Sequence, residues 1–131
     1  MTYFEVCPTK LALKLFKKWS FEVVRDIWFG LVTFSEILKA NPGLSTKVLS
    51  QRLKELEEYG IIKKKIISVT PLRAKYQLTE KGLALNKIMY DFAMFSYDYY
   101  LDKLFKENPP PRSEMAEKVA KAFKIDLTNP Y

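Results

Sequence analysis

The stretch Leu44 to Gly60, LSTKVLSQRLKELEEYG, carries most of the decision about the fold. At about 100° per residue, Leu49, Leu53 and Leu56 fall on one stripe of a helix, while Lys47, Ser50, Gln51 and Lys54 gather on the opposite side. Both ends are marked in the sequence. Asn41-Pro42-Gly43 is a turn signal before it, and Ser45 can accept a hydrogen bond from a free N–H of the first turn. Gly60 can take the left-handed conformation that closes a helix. The polar side mixes long donors with hydroxyl and amide groups near the N-terminus, chemistry suited to base edges and phosphates, and its carboxylates Glu55, Glu57 and Glu58 lie in the C-terminal half. A solvated face is the ordinary reading of such a pattern on an isolated helix. The neighbouring elements therefore decide.

Working outward, a first helix follows Cys7-Pro8 with Leu11, Leu15 and Trp19 at helical spacing, and Phe21 to Trp28 predicts a second that ends at Gly30. Thr33-Phe34-Ser35-Glu36 is a capping box that opens a short helix through Ile37 and Leu38. A short helix, a tight turn and a patterned second helix give helix-turn-helix order. Ile61 to Val69 is rich in β-branched residues, Thr70-Pro71-Leu72-Arg73 reads as a turn, and Lys75 to Leu78 as a second extended run. Together these predict a mainly α fold with a small β-hairpin wing. From Leu44 to Lys75 the basic residues are Lys47, Arg52, Lys54, Lys63, Lys64, Lys65, Arg73 and Lys75, against Glu55, Glu57 and Glu58, a net +5. A basic hairpin alone is commonly an edge strand protected by lysines. Beside a helix-turn-helix it becomes a candidate wing.

The whole chain sets bounds on this reading. Its 131 residues suffice for one ordinary domain with appendages. Lys and Arg number 22 against 15 Asp and Glu, and the net charge of +7 favours polyanionic or acidic partners. There is no histidine and only one cysteine, so histidine-based triads, histidine general bases and the usual zinc sites are excluded. The four glycines stand singly at element ends, which leaves neither a P-loop nor a dinucleotide fingerprint. No enzyme activity, cofactor or metal is expected. The least charged segment, Ile27 to Ser35, is far shorter than the roughly 20 apolar residues that span a bilayer, and no secretion signal opens the chain. A cytoplasmic protein without membrane contact is expected.

Several ordered blocks resemble the HxlR-type family of winged-helix transcriptional regulators. They are Cys7-Pro8, Lys18-Trp19, Phe34-x-Glu36-Ile37, Leu49-x-x-Arg52-Leu53-Lys54-Glu55-Leu56-Glu57-x-x-Gly60-Ile61-Ile62, Pro71-x-Arg73 and Tyr76-x-Leu78-Thr79-x-x-Gly82. The resemblance spans roughly Cys7 to Tyr100. It implies a homodimer that binds double-stranded DNA, with the helix after the turn in the major groove and the wing on the backbone or minor groove. It places recognition at Thr46, Lys47, Ser50 and Gln51, with Lys54 on the same side and Arg73 at the wing. Two positions depart from the family pattern: Thr33 stands where an arginine is usual, and Leu72 replaces the wing's second proline. The alternative is a winged-helix module that binds protein or RNA.

The dimer expectation also rests on Leu83 to Phe105. There Leu85, Ile88, Phe92, Phe95 and Tyr99 follow a three-four spacing, and Met89, Tyr90, Tyr97, Tyr100, Leu101 and Leu104 widen the apolar side. Burial of this surface against a second copy, helped by Leu11 and Leu15, is the expected solution. Residues 1–106 are read as the winged domain with its dimerisation helices. Residues 107–131 are read as a proline-rich break, Pro109-Pro110-Pro111, followed by an amphipathic helix from Ser113 to Phe123 that packs on the dimer. Cys7 precedes a proline suited to the first helical position, so the helix's positive end should lower its thiol pKa, aided by Lys10 and opposed by Glu5. Some members of the resembled family sense oxidants or electrophiles with a cysteine at the matching place, which makes Cys7 a candidate redox site. A small-molecule or redox effector is accordingly considered. A buried, inert thiol is the other reading.

Overall fold

The computed structural model describes residues 5–129. The described residues divide into two compact units, with the division between Leu83 and Ala84.

The first unit contains α1 (Pro8–Leu15), α2 (Ser20–Trp28), α3 (Phe34–Ala40), α4 (Thr46–Glu58), β1 (Ile62–Val69), β2 (Leu72–Leu78) and α5 (Glu80–Leu83). Its core joins Val23, Val24 and Ile27 of α2 to Ile37 of α3, Leu49, Leu53 and Leu56 of α4, and Ile61, Ile62 and Tyr76 of the hairpin region. The apolar stripe read in the opening stretch is therefore the buried face of α4. Local chemistry sets the limits of the helices. Ser45 Oγ accepts from the Val48 N–H at 3.1 Å, and Thr33 Oγ1 accepts from the Glu36 N–H at 3.3 Å while donating to Glu36 Oε1 at 2.8 Å. At the other end of α4, Gly60 (φ +75°) donates to the Glu57 carbonyl at 3.0 Å and Ile61 to the Leu56 carbonyl at 2.9 Å. This pairing satisfies two of the helix's last carbonyls, and the buried pair Leu56 and Ile61 seals it.

Two buried polar residues fix the turn before α4. Asn41 Nδ2 donates to Asp26 Oδ2 and to the Ile37 carbonyl, both at 2.7 Å, and Arg25 donates to the other oxygen of Asp26 at 3.0 and 3.2 Å. These bonds tie α2, α3 and the Asn41-Pro42-Gly43 turn together. The hairpin is held to the helices by its backbone, since the Tyr76 N–H donates to the Val32 carbonyl at 2.8 Å. Thr79 and Gly82 close the unit. Thr79 Oγ1 bonds the Gly60 and Ile61 carbonyls and accepts from the Gly82 N–H. A Cβ on Gly82 would stand 2.2 Å from the Ile61 carbonyl oxygen, so the close approach requires glycine.

The second unit contains α6 (Asn86–Tyr99), α7 (Leu101–Leu104) and α8 (Arg112–Ala122). Helix α8 packs on α6 of its own chain. Ala116, Val119, Ala120 and Phe123 are buried, as are Met89, Met94 and Tyr97 of α6. Polar bonds fasten both ends: Asn86 Nδ2 donates to the Phe123 carbonyl at 2.8 Å, Tyr97 donates its hydroxyl to the Pro110 carbonyl, and Arg112 pairs with both oxygens of Asp98 at 2.7 and 3.1 Å.

Two sequence expectations need correction. The first helix stops at Leu15, and Trp19 lies outside it in a left-handed conformation (φ +78°) at the cap of α2. Its apolar spacing is helical, but the chain reverses there and the Lys18 carbonyl bonds Arg52 instead of a helical N–H. The hairpin turn is shorter than Thr70–Arg73: Leu72 already pairs with Val69 and Arg73 with Ser68, leaving Thr70-Pro71, joined by a cis peptide bond, as the connection. A bulge at Ile67 absorbs the extra residue on β1. Within the apolar run from Leu83 to Phe105, α6 begins at Asn86 and Tyr100 (φ −132°) separates it from α7.

Candidate nucleic-acid interface

The candidate surface is built on α4 and the hairpin. Because Leu49, Leu53 and Leu56 are 0–2% exposed, α4 can present only one face outward. That face carries Thr46, Lys47, Ser50, Gln51 and Lys54, all exposed. Thr46 and Lys47 occupy the first turn, where the helix's free N–H groups add positive potential. Glu57 and Glu58, at the far end, are also exposed. The anion-attracting end of the helix is thus its N-terminal half.

Arg73 is exposed on β2, two residues from Lys75. Strand alternation and the register set Lys63, Lys65, Arg73 and Lys75 on one face of the hairpin, with Lys65 directly opposite Lys75. Like charges facing each other across a ladder repel, and a polyanion laid over them removes that repulsion. The sequence reading counted these lysines in bulk. Only the register identifies the Lys65–Lys75 pair, and turn prediction had left Lys75 at the start of its strand. Arg73 and Lys75 also line an open cleft of about 800 Å³ against Thr33, Phe34, Ser35 and Glu36 at the start of α3. Thr33 spends its hydroxyl on the cap described above, and it takes no cation into that cleft.

One basic residue counted toward the surface turns inward. Arg52 Nε donates to the Lys18 carbonyl at 2.8 Å and its Nη1 lies 3.3 Å from Glu55 Oε1, so its guanidinium braces α4 against the chain before α2.

The remaining candidates lie elsewhere. Cys7 is the cap of α1, with Pro8 in the first turn, and its side chain is exposed. The backbone N–H groups of Lys10 and Thr9, in the first turn, favour the thiolate and lower the thiol pKa from its ordinary value. The effect of Lys10 comes from its backbone and not from its ammonium. Leu11 is exposed and Leu15 half-buried, and α1 has no buried residue. Both leucines line an apolar groove of about 320 Å³ with Pro8, Ala12, Tyr59, Ile61 and Lys81. On α6, Ile88, Phe92, Phe95 and Tyr99 are 37–72% exposed and form a stripe opposite the face that α8 covers.

This arrangement, a helix-turn-helix with a basic hairpin, agrees with the comparisons to known proteins. The profile described as HxlR-like helix-turn-helix matches residues 14–103. The chain belongs to the HxlR-like helix-turn-helix family. It is 41% identical over 101 residues to the uncharacterized HTH-type transcriptional regulator YvaP of Bacillus subtilis (strain 168), covering 76% of this chain and 94% of YvaP. The reduced form of the transcriptional regulator YodB from B. subtilis superposes with a TM-score of 0.62 at 32% identity, covering 72% of this chain and 94% of that one. Diamide-treated YodB gives 0.59 at 32% identity, with 73% and 97% covered. A putative regulator of the MarR family from Porphyromonas gingivalis W83 gives 0.67 at 31% identity, with 76% and 98% covered. Among the described residues, no helix is long and apolar enough to cross a membrane.

Proposed function

We propose that this chain is a DNA-binding transcriptional regulator in which α4 enters the major groove and the hairpin lies on the backbone or minor groove. The observation that carries the reading is the division of α4, whose apolar face is locked into the core while its N-terminal polar face is exposed. Thr46, Ser50 and Gln51 supply hydrogen-bonding groups for base edges, and Lys47, Lys54 and Arg73 supply cations for phosphates. The relatives' description as HTH-type transcriptional regulators supports this over a protein- or RNA-binding module. Selection of bound fragments from the host genome tests it: one enriched duplex sequence is expected, and equal binding to all duplexes would refute base reading.

The regulator is proposed to act as a homodimer on a pseudo-palindromic site, with half-sites about one helical turn (~34–36 Å) apart. Support comes from the exposed stripe Ile88, Phe92, Phe95 and Tyr99, which α8 leaves uncovered, and from α1 with its exposed Leu11. In this reading residues 84–106 contribute to dimerisation, and the extension from 107 onward buttresses α6 from behind. Light scattering at micromolar concentration is expected to show a dimer. A monomer would remove the two-half-site arrangement.

Cys7 is proposed as a redox-responsive site. Its exposure and its lowered thiol pKa support this, as does the existence of the relative YodB in reduced and diamide-treated forms. With no second cysteine in the chain, the response would need a mixed disulfide or a bridge between subunits on oxidation, or an adduct with an electrophile. Diamide is expected to change DNA affinity in the native protein and not in Cys7→Ser.

A further inference from the structure

The segment between α1 and α2 crosses the flank of α4, and its lysines meet the helix that carries the candidate reading face. Arg52 is committed on both sides, to the Lys18 carbonyl at 2.8 Å and to Glu55 at 3.3 Å, with only 16% of its side chain exposed. Glu55 Oε1 thus already has a cation. Lys17 Nζ approaches the same oxygen at 3.3 Å from the outer side, and its side chain is 51% exposed. Lys17 is therefore the second cation on one carboxylate. Exposed pairs of this kind are weak and easily exchanged.

The position of Lys17 matters as much as its pairing. With Gln51, Lys54 and Glu58 it lines an open polar cleft along α4, so its ammonium adjoins two side chains assigned to the reading face. A duplex whose backbone reached Lys54 would bring phosphates to the mouth of this cleft. Glu55 would then keep Arg52 as its partner, and Lys17 would be free to turn to phosphate.

We propose that Lys17 is a further phosphate-contacting residue of the DNA interface, supplied from outside the helix-turn-helix and parked on Glu55 in the unbound chain. This rests on the DNA-binding reading and adds a contact that the recognition helix and wing do not contain. Its chemistry is that of a point charge, independent of sequence.

The test is the salt dependence of duplex binding by the full chain, measured between 50 and 200 mM salt for the native protein, Lys17→Ala, Lys17→Arg, Lys54→Ala and Lys14→Ala. Lys14 is exposed on α1 outside the cleft and controls for loss of one charge. Loss of one phosphate contact lowers the log–log slope by about 0.9, so over this range the native protein should lose about threefold more affinity than Lys17→Ala. Specific and random duplexes should weaken alike, Lys17→Arg should retain the native slope, and Lys14→Ala should leave it unchanged. Thermal melts of each variant separate a folding defect from a lost contact. If Lys54→Ala lowers the slope but Lys17→Ala matches Lys14→Ala, the proposal is overturned while the DNA reading stands. A native chain with no salt-dependent duplex binding overturns both.

Discussion

Replacing Asn41 by alanine should unsettle the turn that aims α4. Asn41 is 5% exposed, and its amide donates two hydrogen bonds of 2.7 Å, one to the Asp26 carboxylate and one to the Ile37 carbonyl. Asp26 is itself 5% exposed. A hydrogen bond to a charged group contributes about 1.5–3 kcal/mol, and a buried acceptor left without a partner costs about 1–3 kcal/mol. Arg25 still serves the other Asp26 oxygen, which limits the damage on that side. We therefore expect Asn41→Ala to destabilise the protein by about 3 kcal/mol, a large share of the roughly 5–15 kcal/mol available to a small domain. Urea unfolding at fixed protein concentration, read by circular dichroism, measures it. A double-mutant cycle with Asp26→Asn should return a coupling of about 0.5–3 kcal/mol, because the two side chains share one bond. A loss below about 1 kcal/mol, or no coupling, would refute the idea that this buried pair fixes the turn.

Gln51→Ala should cost about 1–3 kcal/mol on the selected duplex and relax one position of it, with little effect on random DNA; Arg73→Ala should weaken all duplexes and lower the salt slope by about one unit, as titrations across salt would show. Phe95→Glu places a charge in the exposed stripe of α6 and should give a monomer by light scattering while leaving the helix content of the chain unchanged. Alkylation of Cys7 followed against pH should reach half its limiting rate at a lower pH than that of a cysteine in an unstructured peptide under the same conditions, since the backbone donors favour the thiolate; an equal or higher midpoint would leave Cys7 an ordinary surface thiol. Asp98 is held below the usual carboxylate range by its hydrogen bonds to Arg112, so its contribution to docking α8 is present above the unfolded pKa and is lost as pH falls through the folded one; Asp98→Asn should remove that acid dependence from the melting curve.

Much of the first unit was legible in the sequence because its signals are local. Ser45, Thr33 and Gly60 each act on backbone groups within a few residues, and the leucine spacing of α4 states which side is apolar before any partner is known. The exposed face of α4 follows from the same spacing, which is why Lys47, Ser50, Gln51 and Lys54 could be placed on it in advance, while Thr46 was implied by the family resemblance. Tertiary structure decided what depends on partners distant in the chain. Arg52 reads as a surface cation until the Lys18 carbonyl, 34 residues away, takes its Nε–H. Trp19 continues a helical period that the chain reversal breaks, and Gly82 becomes obligatory only where the Ile61 carbonyl comes to 2.2 Å from its missing Cβ. Likewise, periodicity marked α6 as apolar on many sides, but which side is core depends on α8. Met89, Met94 and Tyr97 are buried, and the stripe from Ile88 to Tyr99 stays exposed on the opposite face. Apolar spacing records that a surface must leave water. The identity of the surface that covers it belongs to the packing, where the free energy of burial is shared between segments that no local window contains together.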